Sequence, residues 1–214
     1  MKTTNNIEQA ILHAAEEMFL EKGYSMVSTT DIANRVGCNQ AMVHYYYRTK
    51  ENLFMKVFTT KVDTLFQIFS EIIATEQTLL GRINLFIDKY FELFIANPRI
   101  PFLVVNELIL NPTRRSYMYD YITHSATSDF YDELKSQVEF EVSQGHIRPI
   151  TTFDLVQNIV SLTAFTFVGL PVVNDFLIQN QFNLEDYLLH RRSEIRNFVI
   201  QSIQPSIMPP LKLQ

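Results

Sequence analysis

Few side chains in this sequence are placed to do covalent chemistry. The five histidines, His13, His44, His124, His146 and His190, are scattered, and with the single Cys38 they form no spacing that would hold a metal. The five glycines are not clustered, so there is no phosphate-cradling loop, and no nucleophile motif occurs. Recognition chemistry remains. Its densest set of hydrogen-bonding and aromatic side chains is "NQAMVHYYYRTK" at residues 39–50. Local propensity alone would make Val43 to Tyr47 a β-strand. The flanks argue otherwise: Asn39 can cap a short helix over 40–46, and Thr49 before Lys50 and Glu51 can cap a longer one.

These side chains need elements to position them, and the apolar periodicity supplies helices. Ile7, Ile11, Ala14, Ala15, Met18 and Phe19 recur at three-to-four spacing, an amphipathic helix that Gly23 ends. "STTDIANRVG" (28–37) opens on hydroxyl caps and an acid, carries Ile32, Ala33 and Val36 on one face, and closes at Gly37. The fourth helix runs long through Leu53, Phe54, Val57, Phe58, Leu65, Ile68, Phe69 and Ile72. Further helices are expected near 80–97 and 100–110, set off by "NPRIP" (97–101) and "NPT" (111–113), then over 114–144, 152–168 and 184–202. Gly169 and Pro171 close the 152–168 helix, and Asn183 caps the last one. The chain therefore reads as all-α with about nine helices. An N-terminal three-helix domain covers 1–50, a larger helical domain 51–204, and a flexible, proline-marked tail 205–214.

Composition narrows the class of function. The 214 residues are 47% apolar and 19% charged, enough for a substantial core and without disordered character. The 17 Phe and 10 Tyr fill a core, and some can line a cavity for a hydrophobic ligand. One cysteine excludes an internal disulfide and fits a reducing compartment. The N-terminus lacks the apolar stretch of a signal peptide. The longest apolar run, "AFTFVGLPVV" (164–173), falls short of the ~20 residues of a membrane span. A cytoplasmic protein without membrane association or cofactor is expected. The net charge of −5 gives no encouragement to a nucleic-acid reading, but the charge is uneven. Residues 1–56 balance six bases against six acids, and Arg48 to Lys61 hold four bases against Glu51 alone.

Helix 29–36, a turn holding Gly37, and helix 40–46 have the spacing of a helix-turn-helix, whose second helix is sized for the DNA major groove. Ala33 is small enough for close approach, Gly37 can take the positive φ of the turn, and Ile32, Val36 and Val43 make the shared core. Successive residues turn about 100° around a helix, so three tyrosines cannot share a face. Tyr47 lies one turn beyond Val43 and belongs to the core. Gln40, Ala41, His44 and Tyr45 fall on the opposite side, with Tyr46 on the flank.

The stretch "TTDIANRVGCNQAMVHYYYRTKENLF" (29–54) resembles the N-terminal signature of TetR-family transcriptional regulators. That signature typically reads T-x-x-x-I-A-x-x-x-G-V-S, a small residue, L-Y-x-H/Y-F and S-K-E-x-L. The preceding "AAEEMFLEKGYSMVSTTDIA" is similar in register, so the resemblance covers about 50 residues; beyond them only helix number and lengths match. Cys38 and Asn39 stand where Val-Ser is usual, His44 where Tyr is usual, and Tyr47 where Phe is frequent. Cys38 is a small apolar substitute, for which packing is a plainer use than redox sensing, and Asn caps as well as Ser. The resemblance implies, position by position, that Gln40, Ala41, His44 and Tyr45 approach bases, with Asn39 beside them at the head of the helix. It implies that Thr29, Thr30, Tyr46 and Lys50 hold phosphates. Gln40 could read adenine bidentately, Ala41 could meet a thymine methyl, and His44 would shift the operator preferred.

A three-helix unit of this size is marginal alone and covers half a site, so a homodimer on a palindromic double-stranded DNA operator is expected. "LVQNIVSLTAFTFVG" (155–169) mixes apolar with small residues, and Leu188, Ile195, Phe198, Val199 and Ser202 recur at helical spacing. The resemblance implies dimerisation through the last two long helices and an effector pocket in the middle helices, about 80–144, read out through the fourth. Candidate pocket residues are Phe66, Phe69, Tyr90, Phe94 and Phe102, together with Asn106, Tyr117, Tyr121 and Phe165. A small hydrophobic effector is expected, either neutral or a lipophilic cation met by tyrosines and Glu107. The expected function is a ligand-responsive regulator, most simply a repressor, and no catalytic role. An activator stays open, because direction depends on operator position. So does a helical DNA-binding or adaptor protein without an effector.

Overall fold

The computed structural model describes residues 2–124 and 128–205, and every element among them is helical. The chain packs as two compact units. The first joins Met1–Gln67 with Phe102–Ser125. In it α1 (Lys2–Lys22) packs against α2 (Thr29–Val36) and α3 (Gln40–Tyr47), burying Ile11, Ala15 and Phe19 with Ile32, Ala33 and Val43. The start of α4 (Lys50–Thr75) completes this core, with Phe54 edge-on to Phe19 at 5.1 Å. α6 (Ile100–Leu103) runs into a π-helical segment, Val104–Ile109, and α7 (Pro112–His124) follows. Leu103, Leu108 and Met118 join the same core.

Local chemistry sets the ends of these helices. Ser28 and Asp31 form a capping box: Ser28 Oγ accepts from the Asp31 N–H at 3.1 Å, and the Asp31 carboxylate accepts from the Ser28 N–H at 3.0 Å. Gly37 ends α2 at φ +74°, which an L side chain adopts only with strain. Asn39 Oδ1 accepts from the Ala41 N–H and starts α3. The strand propensity of 43–47 loses because a helix places Val43 and Tyr47 one turn apart on the buried side. Tyr47 Oη donates to the Glu8 carbonyl at 3.1 Å, and burial, with Glu8 nearby, pushes that phenol up to about 12. α3 then passes to α4 through a γ-turn: Arg48 has φ 66° and ψ −53°, and the Thr49 N–H donates to the Tyr47 carbonyl at 2.7 Å.

The second unit joins Ile68–Pro101 with Ala126–Gln214. α5 (Leu79–Ala96), α9 (Thr152–Val168) and α11 (Leu184–Ile203) pack on one another, while α8 (Ser128–Ser143) and α10 (Leu170–Gln179) pack on α9. Ile83, Ile87, Phe91, Leu155, Ile159, Phe167, Ile195 and Val199 are buried there. Arg82, 5% exposed, closes the end of α4. It donates to the carbonyls of Glu76 and Ile73 at 2.7 and 2.6 Å and to Gln137 at 2.6 Å, and it pairs with Glu133 at 3.2 Å. Gly81 leaves room for the Glu76 carboxylate, with which a Cβ there would clash.

The fold is all-α as expected, but the described residues hold eleven α-helices and the π segment where about nine helices were expected. The long helix over 114–144 is two helices, α7 and α8, with 125–127 outside the described residues. The second addition is α10. Pro171 does not stop the chain; it sits at the first turn of α10, where its missing N–H has no intrahelical partner to lose. Gly169, with φ −81°, is shared by the end of α9 and the start of α10. Of the tail, residues 206–214 lie outside the described residues.

Candidate nucleic-acid interface

α3 presents two chemically different sides. Val43 and Tyr47 are buried, whereas Gln40, Ala41, His44 and Tyr45 are exposed, Tyr45 at 67%. Tyr46 is half-buried on the flank, edge-on to Tyr45 at 5.1 Å. The exposed side is organised by hydrogen bonds. Gln40 Nε2 donates to Thr29 Oγ1 at 2.9 Å and lies 3.5 Å from His44 Nε2, while His44 Nδ1 is 3.0 Å from the Arg48 carbonyl. Thr29 is thus occupied by Gln40, and Thr30 stands exposed beside it. Asn39 is exposed, with its Oδ1 committed to the cap.

Lys50 stands at the N-terminus of α4, where orphan N–H groups favour an anion. Its ammonium lies 4.0 Å from the centroid of the Tyr24 ring. Burial, with Arg114 next in effect, lowers its pKa below the usual lysine value. Beside it is Arg114, which the sequence reading passed over. Arg114, 5% exposed, grips Glu51 with two hydrogen bonds of 2.7 and 2.8 Å and Glu107 with one of 2.6 Å. Its guanidinium lies 3.9 Å from the Tyr24 ring centroid and 4.5 Å from that of Phe54. The Arg114 bond holds the Glu51 carboxyl below the usual 4.5. This cluster ties the first turn of α4 to the π segment and α7. The only sequence signal was an arginine just inside a helix after "NPT", which fits any surface position equally well.

The charge on the first unit also becomes clearer. Glu16 pairs with Lys61 at 2.6 Å and Glu17 with Arg35 at 3.1 Å, so two acids of α1 are matched locally. Arg48 and Lys56 are exposed near the junction of α3 and α4.

The nine residues expected at an effector pocket are distributed over both units. Phe69, Tyr90 and Phe94 come together in the second unit, with Phe69 5.2 Å and Phe94 5.8 Å from the Tyr90 ring and Phe86 beyond at 4.9 Å from Phe69. Burial raises the Tyr90 phenol pKa, so it remains a neutral hydroxyl. In the first unit Tyr117 and Tyr121 stack in parallel at 6.5 Å, and Tyr121 Oη donates to Asp63 at 2.6 Å. Phe66 is half-buried and Asn106 exposed. Phe102 is 58% exposed and Phe165 74%, so neither faces its unit's interior. Glu107, expected to meet a cation, is already held by Arg114. An unanticipated groove of about 440 Å³ lies in the second unit, lined by Phe91, Ile95, Leu184, Leu188 and Arg192.

The expected dimer residues divide as well. Leu188, Ile195 and Val199 are buried inside the unit, and Phe198 is exposed. Among the described residues no single helix is long and apolar enough to cross a membrane.

Residues 11–57 match the sequence model of the bacterial regulatory proteins of the tetR family. The fatty acid metabolism regulator protein of Bacillus subtilis is 26% identical over 98 residues, 46% of this chain and 50% of that protein. The transcriptional regulator QacR of Staphylococcus aureus is 33% identical over 52 residues, 24% of this chain and 28% of its own. The match thus spans half or less of these relatives. Whole-fold likeness is broader. A TetR transcriptional regulator from Chloroflexus aurantiacus superimposes with a TM-score of 0.71 at 15% identity, covering 96% of this chain and 100% of its own. The ketosteroid transcriptional regulator KstR2 of Mycobacterium tuberculosis does so at 0.63 and 17%, covering 93% and 95%. At such identities these two speak for the fold alone.

Proposed function

We propose that this chain is a transcriptional regulator that binds a palindromic operator as a homodimer and releases it on binding a small hydrophobic effector, a reading supported by the match of residues 11–57 to the tetR-family sequence model. The observation that carries the DNA reading is the division of α3, with Val43 and Tyr47 buried and Gln40, Ala41, His44 and Tyr45 exposed. In this reading Gln40, Ala41 and Tyr45 meet base edges with His44 set among them, while Thr30, Tyr46 and Arg48 flank them for phosphates, which fix register and not sequence. Lys50 is a weaker phosphate ligand than the sequence suggested, since its ammonium rests on Tyr24.

The dimer reading is supported by apolar side chains left on the last helices: Phe153 and Phe165 on α9, Phe176 on α10, and Leu189 and Phe198 on α11, all at 49% exposure or more. At 74% exposure Phe165 fits this role better than a pocket position. The effector reading is supported by the Phe69, Tyr90 and Phe94 cluster, apolar apart from one neutral hydroxyl. With Glu107 engaged by Arg114, a neutral hydrophobic effector fits better than a lipophilic cation.

Selection of bound sites from random duplex DNA tests the core of this reading. An enriched palindrome is expected, and recovery of no preferred sequence would sink it. Release of the selected site is then assayed against fatty acids, other neutral hydrophobic compounds and lipophilic cations, the first suggested by the name of a relative. Release by none of them favours a DNA-binding protein without an effector. Repression is the simpler outcome for a released binder, and operator position relative to the promoter decides it.

A further inference from the structure

We infer that Gln40 is held as an acceptor-only reader of base amino groups, and that Thr29 and His44 are the positioning residues that hold it so. The inference rests on the DNA-binding reading above and specifies what one reading position recognises. The chain of constraint starts at the backbone. The Arg48 carbonyl, 3.0 Å from His44 Nδ1, can only accept, so Nδ1 carries the proton. In a neutral imidazole Nε2 is then the acceptor. Gln40 Nε2 approaches it at 3.5 Å and also Thr29 Oγ1 at 2.9 Å. An amide nitrogen has two hydrogens, and both are directed within the protein. Turning the amide over would set Gln40 Oε1 against the lone pair of His44 Nε2, so the ring fixes the orientation. Gln40 Oε1 is what this exposed side chain presents outward.

In the major groove an acceptor can meet the N6 amino group of adenine or the N4 amino group of cytosine, and it is repelled by guanine O6 and thymine O4. Bidentate reading of adenine needs an additional N–H for N7, which Gln40 in this setting does not have to give. The position should therefore tolerate A or C on the contacted strand and reject G and T. Thr29, on this account, acts from α2 on the base-reading residue of α3.

The test is binding-site selection with the full chain and with Gln40→Ala, Thr29→Val, Thr29→Ser and Thr29→Val/His44→Ala, after thermal melts have shown that each is folded. Gln40→Ala identifies the position by flattening it. The native chain should show A or C there, each favoured about tenfold over G and T. Thr29→Ser, which keeps the hydroxyl, should retain that pattern. The double variant frees the amide hydrogens and should narrow the position to A or admit G. A native preference for A alone, or for G, overturns the inference, as does an unchanged A/C pattern in the double variant, and so does Gln40→Ala flattening no position. If the native chain enriches no site at all, the DNA-binding reading itself fails, an outcome distinct from these.

Discussion

Arg48 carries the reading helix into α4 in a backbone conformation that only glycine adopts freely, with φ 66° and ψ −53°. Such a position persists because its surroundings over-determine it, here the Tyr47–Thr49 turn and the His44 ring on its carbonyl. Arg48→Gly should relieve the strain and raise stability by about 1 kcal/mol, seen as a higher urea midpoint with an unchanged slope. A lower midpoint would show that the arginine side chain contributes more than the turn costs. One residue earlier, Tyr47→Phe removes a buried donor to the Glu8 carbonyl and should lower stability by about 1 kcal/mol without changing the selected DNA site. Tyr46→Phe is the counterpart on the flank: it should weaken binding to all DNA sequences alike, checked by anisotropy on cognate and scrambled duplexes. A loss confined to the cognate site would reassign Tyr46 to the bases.

Among elements, the Arg114 cluster fastens the first turn of α4 to the π segment and α7. Arg114→Met leaves Glu107, with a side chain 19% exposed, without its ion-pair partner, and should cost about 3 kcal/mol. Arg114→Lys should recover little, because a point charge cannot grip Glu51 with two bonds and Glu107 with a third. The carboxylate side predicts a pH dependence. Arg114 lowers the Glu51 pKa below 4.5, so the folded state favours the charged form. That contribution is complete above pH 4.5 and is lost as pH falls through the lower folded value. Thermal melts of the native chain and Glu51→Gln should therefore differ at neutral pH and converge in acid. A gap that persists undiminished through the acid limb would contradict this assignment.

For the whole molecule, the exposed Phe165 and Phe198 are the residues that the proposed dimer needs covered. Phe165→Glu with Phe198→Glu should leave the monomer folded, since neither side chain contributes to its buried core. The same change should convert a dimer to a monomer by sedimentation and lower affinity for a full palindrome far more than for a half-site. A native chain that sediments as a monomer at micromolar concentration removes the dimer from the proposal.

The helix-turn-helix was legible in the sequence because its signals are local. Ser28 and Asp31 cap α2, Gly37 supplies a positive φ, Asn39 caps α3, and the 100° step alone puts Val43 and Tyr47 on the side opposite Gln40 and His44. The aromatic wealth of the chain was visible too, but not its distribution. Periodicity shows that Phe69, Phe165 and Phe198 lie on apolar faces, and says nothing of which neighbour each face meets. Packing decided that Phe69 joins Phe86 and Tyr90 while Phe165 stays outside. Pro171 read as a stop because proline breaks a helix interior, and tertiary context put it at a first turn instead. Arg114 stands 63 residues from Glu51 and met it only once α7 packed beside α4. Capping and phase act over one or two turns and are written in the residues themselves; ion pairs and faces between distant helices depend on which surfaces meet, and only the folded chain determines that.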